Sequence, residues 1–206
     1  MSAGAGSCIA LIPAKLLHVS KSRLAGVLQP RDRERLVEAM LRHVIETALA
    51  ADAVDAVVML GRRSPAFPAL DVIEDPGGGL NAALRHALLR IAERGVDRML
   101  VVAGDLPLLV ADELDRLARI VPGSIGIAPD RHGTGTNALS LPLPAAINFR
   151  FAYGPGSFAL HRAEAARIGH DAIAIRRAGL AKDVDDPADL LDAEAIDAKP
   201  SGPNGE

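Results

Sequence analysis

Residues 99–107 read Met99-Leu100-Val101-Val102-Ala103-Gly104-Asp105-Leu106-Pro107. An apolar run of five, closed by a glycine and then a proline, predicts a central strand ended by a stiff turn. Asp105 stands alone at the carboxyl end of that strand. It is well placed to ligate a divalent metal, because magnesium favours carboxylate and phosphate oxygens. Capping the next helix, or simply occupying the turn, would account for it equally.

Outward from this run, strand and helix patterns alternate. Short apolar runs at 8–12, 54–60, 70–73, 124–128, 137–141 and 172–175 predict further strands. Residues 31–50 predict a helix with Leu36, Met40, His43, Val44 and Thr47 on one face. A second opens at Gly77-Gly78-Gly79 and carries Leu80, Leu84, Leu88 and Ile91 as its stripe. A third covers 110–120, and a fourth runs from Ser157, its expected cap, to about residue 168. Asp186-Pro187 is expected to open a last one. This alternation predicts an α/β fold: one domain over 8–195, a mostly parallel mixed sheet with helices on both faces. Residues 1–7 are expected to form a flexible N-terminus and 196–206 a disordered tail. In such sheets ligands bind at the carboxyl ends of the strands.

Composition excludes several function classes. The 206 residues include no Trp, one Tyr and four Phe, so the core is aliphatic and base-stacking platforms are nearly ruled out. A net charge of −3 gives no general attraction to nucleic acid. The single cysteine, Cys8, forms no internal disulfide and reads as a small buried hydrophobe. No apolar run approaches the roughly 18 residues of a membrane helix, and no signal-peptide pattern follows the first residues, so a cytoplasmic setting is expected. The six histidines lack metal-ligand pairing, and a Gly-x-Ser-x-Gly nucleophile elbow is missing.

Loops after the strands hold the remaining chemistry. Lys15, Lys21 and Arg23, following Pro13 and the first strand, suit a polyphosphate, though a solvated basic loop would look the same. Asp183 and Asp185 alternate, so in an extended segment they share one side and either can join Asp105 at a metal. Helix-start acidity is the plainer account of that cluster. Residues 77–82 match the dinucleotide pattern Gly-x-Gly-x-x-Ala. A nucleobase lying against Gly79, with Asn81 on its polar edge, explains the same residues. Gly133-Thr134-Gly135-Thr136-Asn137 and Gly154-Pro155-Gly156-Ser157 are small-residue loops able to hold an anion, or else a hairpin turn and a helix cap.

Taken in order, these motifs resemble the phospholactate/phosphoenolpyruvate/3-phosphoglycerate guanylyltransferase family of coenzyme F-420 biosynthesis, over about residues 8–192. They are Pro13-Ala14-Lys15 with Lys21-Ser22-Arg23, Gly79-Leu80-Asn81-Ala82, Gly104-Asp105-Leu106-Pro107, Gly133-Thr134-Gly135-Thr136, Tyr153-Gly154-Pro155-Gly156-Ser157 and Asp183-Val184-Asp185. The resemblance implies a nucleotidyltransferase sheet of the glycosyltransferase-A type. It also implies transfer of guanylate from GTP to a small phosphorylated acid, with Mg2+. Nucleotide binding is expected at Pro13, Lys15, Gly79, Asn81 and Asp105, and catalytic charge from Lys15, Lys21 and Arg23. The resemblance assigns the phospho-acid to Thr136, Gly154 and Ser157 and the metal to Asp105 and Asp185, with Asp183 the alternative to Asp185. No nucleic acid or membrane partner is expected, a homodimer is left open, and the product passes to a downstream transferase. A molybdenum-cofactor or sugar nucleotidyltransferase is the nearest alternative, and a non-catalytic dinucleotide-binding module the more distant one.

Overall fold

The computed structural model describes residues 6–14, 24, 26–184 and 189–190. Its strands are β1 (Cys8–Pro13), β2 (Ala56–Leu60), β3 (Asp71–Ile73), β4 (Arg98–Val102), β5 (Ile125–Pro129), β6 (Thr136–Pro142) and β7 (Ala172–Ala174). Its helices are α1 (Pro30–Leu49), α2 (Leu80–Ala92), α3 (Ala111–Ala118), α4 (Ser157–Arg167) and α5 (Ala178–Ala181). The strands form one sheet in the order β3-β2-β1-β4-β6-β5-β7. Every neighbouring pair is parallel except the two that β6 makes with β4 and β5. The expected mostly parallel mixed sheet is therefore present.

Both faces of the sheet are covered, so β1, β4, β5 and β6 are buried along their whole length, without the alternation of a one-sided sheet. Ala10 and Ile12 of β1 pack with Met40 and Val44 of α1 and Leu114 and Leu117 of α3. Ile9 and Leu11, pointing the other way, pack with Leu84 and Leu88 of α2 and Ala165 of α4. Phe149, Phe151 and Phe158 are buried on this second side with Tyr153 packed against them, while Phe67 packs on the first. Cys8 is buried in the core, and burial pushes its thiol up to about 12, so it behaves as the small hydrophobe expected.

Three local expectations need correction. The buried face of α1 is Val37, Met40, Leu41, Val44, Ile45 and Ala48, rotated from the expected stripe. A helix lying on a sheet buries adjacent rows of side chains, and His43 falls at the margin, where Nε2 lies 2.9 Å from the Leu109 carbonyl. Ser157 is the first helical residue rather than the cap. Gly156 caps α4 at φ 73°, a conformation that costs a glycine little, and Ser157 is buried. Helix α5 was not expected, because four residues carry no periodicity. The helix expected at Asp186-Pro187, residues 1–5 of the N-terminus and the tail fall outside the described residues.

One feature of the topology positions the site. The chain runs outward from β1 to β3, then returns to β4 on the other side of β1. The carboxyl ends of β1 and β4 thus flank the switch point where such sheets bind ligands. Because β6 runs antiparallel, its first residues lie where β4 ends. Val102 pairs with Ala138, and the Ala103 N–H donates to the Asn137 carbonyl at 2.8 Å.

Candidate active site

A cleft of about 940 Å³ opens over the carboxyl ends of β1, β2 and β3, lined by Ala14, Met59, Gly61, Arg62, Glu74 and Asp75 among others. That volume lies in the usual range for small-molecule sites. Arg62, Glu74 and Asp75 were missed by the sequence reading, although they directly follow strands, as Asp105 does. Pro13 ends β1 in register with Leu60, and the Ala14 N–H donates to the Leu60 carbonyl at 3.0 Å. The basic loop leaves β1 at this point. Lys15, Lys21 and Arg23 lie outside the described residues; Leu24 beyond them is buried in the core.

Gly79 caps α2, and Asn81 sits in its first turn. Asn81 Oδ1 accepts from the Tyr153 N–H at 2.8 Å, and Nδ2 donates to the Tyr153 carbonyl at 3.1 Å. The carboxamide keeps one hydrogen and one lone-pair direction beyond this pairing. The glycine run follows β3, an edge strand, and not the switch point between β1 and β4. A dinucleotide-binding role for residues 77–82 is not favoured by that position.

Asp105, half-buried after β4, accepts on its carbonyl from the Val184 N–H at 3.3 Å. Asn137, buried on β6, donates Nδ2 to the Leu180 carbonyl at 3.0 Å and to Asp183 Oδ1 at 3.2 Å. The Gly179 N–H donates to Glu113 Oε1 at 2.9 Å. A Cβ at Gly179 would collide with the Leu108 carbonyl and Glu113 Oε2, so only glycine lets α5 lie against the loop after β4. Further on, buried Asp189 pairs with Arg131 Nη1 at 2.5 Å. These bonds bring Asp183 to the edge where Asp105 stands. Asp185 lies outside the described residues. Among the described residues, no three His, Cys, Asp or Glu side chains converge.

Thr136 and Asn137 are successive residues of β6, so their side chains leave opposite faces. Asn137 reaches α5, and Thr136 reaches α4. Thr136 Oγ1 lies 3.0 Å from Nδ1 of buried His161, and His161 Nε2 accepts from the Ala152 N–H at 3.0 Å. Burial lowers the His161 pKa to about 4. The Phe158 N–H donates to the Thr134 carbonyl at 3.1 Å, and the Ser157 N–H to the Gly154 carbonyl at 3.1 Å. Thr136, Gly154 and Ser157 are thereby gathered at the start of α4, whose cap supplies no side-chain hydrogen bond. A helix N-terminus carries partial positive charge and favours anions.

Residues 8–195 match the family model described as "Guanylyl transferase CofC like". The chain belongs to this guanylyltransferase family. It is 42% identical over 194 residues to a phosphoenolpyruvate guanylyltransferase of Sphaerobacter thermophilus, covering 88% of this chain and 90% of the relative. A relative of the same name from Chloroflexus aurantiacus is 41% identical over 184 residues, covering 85% and 89%. The fold matches a candidate nucleotide-diphospho-sugar transferase from Desulfovibrio desulfuricans G20, with a TM-score of 0.73 and 15% identity over 95% of this chain and 89% of the other. It also matches a 4-diphosphocytidyl-2C-methyl-D-erythritol synthase, with a TM-score of 0.64 and 17% identity over 93% and 99%. This guanylyltransferase is thus an enzyme on a nucleotidyltransferase sheet, as the motif order implied, and the sugar and molybdenum-cofactor alternatives are not favoured. Among its described residues no helix is long and apolar enough to cross a membrane.

Proposed function

We propose that this guanylyltransferase joins GTP to a small phosphorylated acid, phosphoenolpyruvate before 2-phospho-L-lactate or 3-phospho-D-glycerate, at an early step of coenzyme F-420 biosynthesis. An oxygen of the acid's phosphate attacks the α-phosphorus of GTP. One phosphorus–oxygen bond forms, and the bond to the α,β-bridging oxygen breaks. Pyrophosphate leaves with the electron pair, and a guanosine-diphospho acid remains for a downstream transferase. The observation that carries this reading is the meeting of two features at one sheet edge. Asp105 and Asp183 stand on the α5 side of β6, and the start of α4 with Thr136 and Ser157 stands on the other. Relatives named for phosphoenolpyruvate support that acid first.

Such a transfer asks the protein for positioning and charge neutralisation rather than covalent chemistry. The donor set fits magnesium. Asp105 and Asp183 offer hard carboxylate oxygens, and this ion ordinarily takes one or two carboxylates with phosphate and water oxygens. Asp185 remains the other candidate for the second carboxylate. When bound, magnesium neutralises charge on the triphosphate. Lys15, Lys21 and Arg23 hold the β- and γ-phosphates in this reading, and the cleft over β1 to β3 takes the nucleoside. Thr136, Gly154 and Ser157 hold the acid. Incubation with GTP, Mg2+ and each acid in turn tests the proposal. Release of pyrophosphate with a product of guanosine-diphospho-acid mass is expected, and an absence of product with all three acids would overturn it.

A further inference from the structure

His161 follows Ser157 by one turn on the same face of α4 and is fully buried. Its ring lies edge-on to Tyr153, with centroids 4.9 Å apart, and tilted against Phe149 at 5.7 Å. Tyr153 is itself anchored by the two bonds to Asn81. The ring therefore has a fixed orientation, and both of its nitrogens are engaged. Nε2 faces the Ala152 N–H, an obligatory donor, so Nε2 carries no proton. A neutral imidazole then holds its proton on Nδ1. The doubly protonated ring would turn an N–H toward the Ala152 N–H, and burial disfavours it as well. Nδ1–H accordingly donates to Thr136 Oγ1. With its oxygen accepting there, the Thr136 hydroxyl hydrogen is directed elsewhere.

We infer that His161 is a positioning residue for the acid substrate: it holds Thr136 Oγ1 as an acceptor on the protein side, so that the hydroxyl proton is presented to an anionic oxygen at the start of α4. This rests on the reading of Thr136 as a group that touches the acid. An unfixed hydroxyl rotates among several partners, while a fixed one meets the anion already oriented, and that difference appears in the affinity for the acid alone.

Nitrogen-15 NMR of the imidazoles in the wild-type enzyme at pH 7 is the first test, since it needs no variant. His161 should show the proton on Nδ1, and finding it on Nε2 would overturn the inference. Kinetics give the second. His161→Gln places an amide oxygen to accept from Ala152 but offers Thr136 no donor. It should raise the acid KM about tenfold, the usual scale for one hydrogen bond, and leave the GTP KM unchanged. His161→Asn restores a donor near the Nδ1 position and should recover much of the loss. Thr136→Val should raise the acid KM, and adding His161→Gln to it should raise it no further. If Thr136→Val leaves the acid KM unchanged, the acid contact of Thr136 is wrong and the inference falls with it. If Thr136→Val raises it while His161→Gln does not, or the two effects add, the positioning role alone fails.

Discussion

Asn137, on the strand that runs against the others, donates its side-chain amide to the Asp183 carboxylate at 3.2 Å across 46 residues of chain. The same nitrogen serves the Leu180 carbonyl, so one side chain orients a candidate metal ligand and ties down the helix before it. Asn137→Ala leaves both acceptors short of a donor. Stability should fall by about 1–3 kcal/mol, and half-maximal activity should require more Mg2+. A denaturation curve and a magnesium titration of the rate check this, and unchanged values in both would remove Asn137 from the account.

Asp105→Asn removes the charge of a proposed magnesium ligand while keeping its shape. Turnover should drop by at least ~100-fold, the scale of losing a main electrostatic stabiliser. The fold should persist, because Asp105 is half-buried and its bond to Val184 uses the backbone. Near-normal turnover in the folded variant would discard the assignment. Asp185→Asn and Asp183→Asn then decide which acid is the second ligand: the one whose loss is comparable.

For the basic loop, Lys15→Ala and Arg23→Ala should each lower kcat as well as raise the GTP KM. The combined effect should be about 1–3 kcal/mol per contact, because the charge on departing pyrophosphate grows as the bond breaks. GMP lacks the contacted phosphates and should bind wild type and variants alike. Unchanged kinetics in both variants would return the loop to the solvent.

Stability should depend on pH through His161. Burial holds its pKa to about 4, below the ordinary 6.5. Between those values the unfolded chain binds a proton that the folded chain does not. The His161 contribution is therefore full above about pH 6.5, declines as pH falls, and levels off below about 4. At 1.36 kcal/mol per unit the loss is roughly 3 kcal/mol. Glu164, held below its ordinary range first by its hydrogen bond from Arg167, adds a loss of the same sign at lower pH. Urea midpoints at pH 7 and pH 4.5 should therefore fall further in wild type than in His161→Asn. Equal falls would contradict the assignment.

Most strands were legible because they are short apolar runs with a break at the end; β6, with Thr136, Asn137 and Ser140, is the exception. β1, β2 and β4 lie within one or two residues of the runs that predicted them. The rule that ligand groups follow strands singles out Asp105 as a candidate, and applied to β2 and β3 it singles out Arg62 and Glu74, which line the cleft. The expected stripe on α1 was one position off, since periodicity gives a helix face only to within a residue's rotation. Asn137 and His161 left no local signal. Their roles come from partners 46 and 25 residues away, and the sequence places a polar residue near a turn without saying what it will meet.

Because β6 begins where the parallel strands end, Thr136, Ala152, Gly154, Ser157 and His161 all fall within one unbroken span, residues 136–161. The cleft over β1 to β3 draws on a different part of the chain altogether. The proposed acid side is thus a cassette that can be grafted or diversified as one piece. Exchanging that span between relatives of different acid preference should move the preference with it and leave the nucleotide requirement behind.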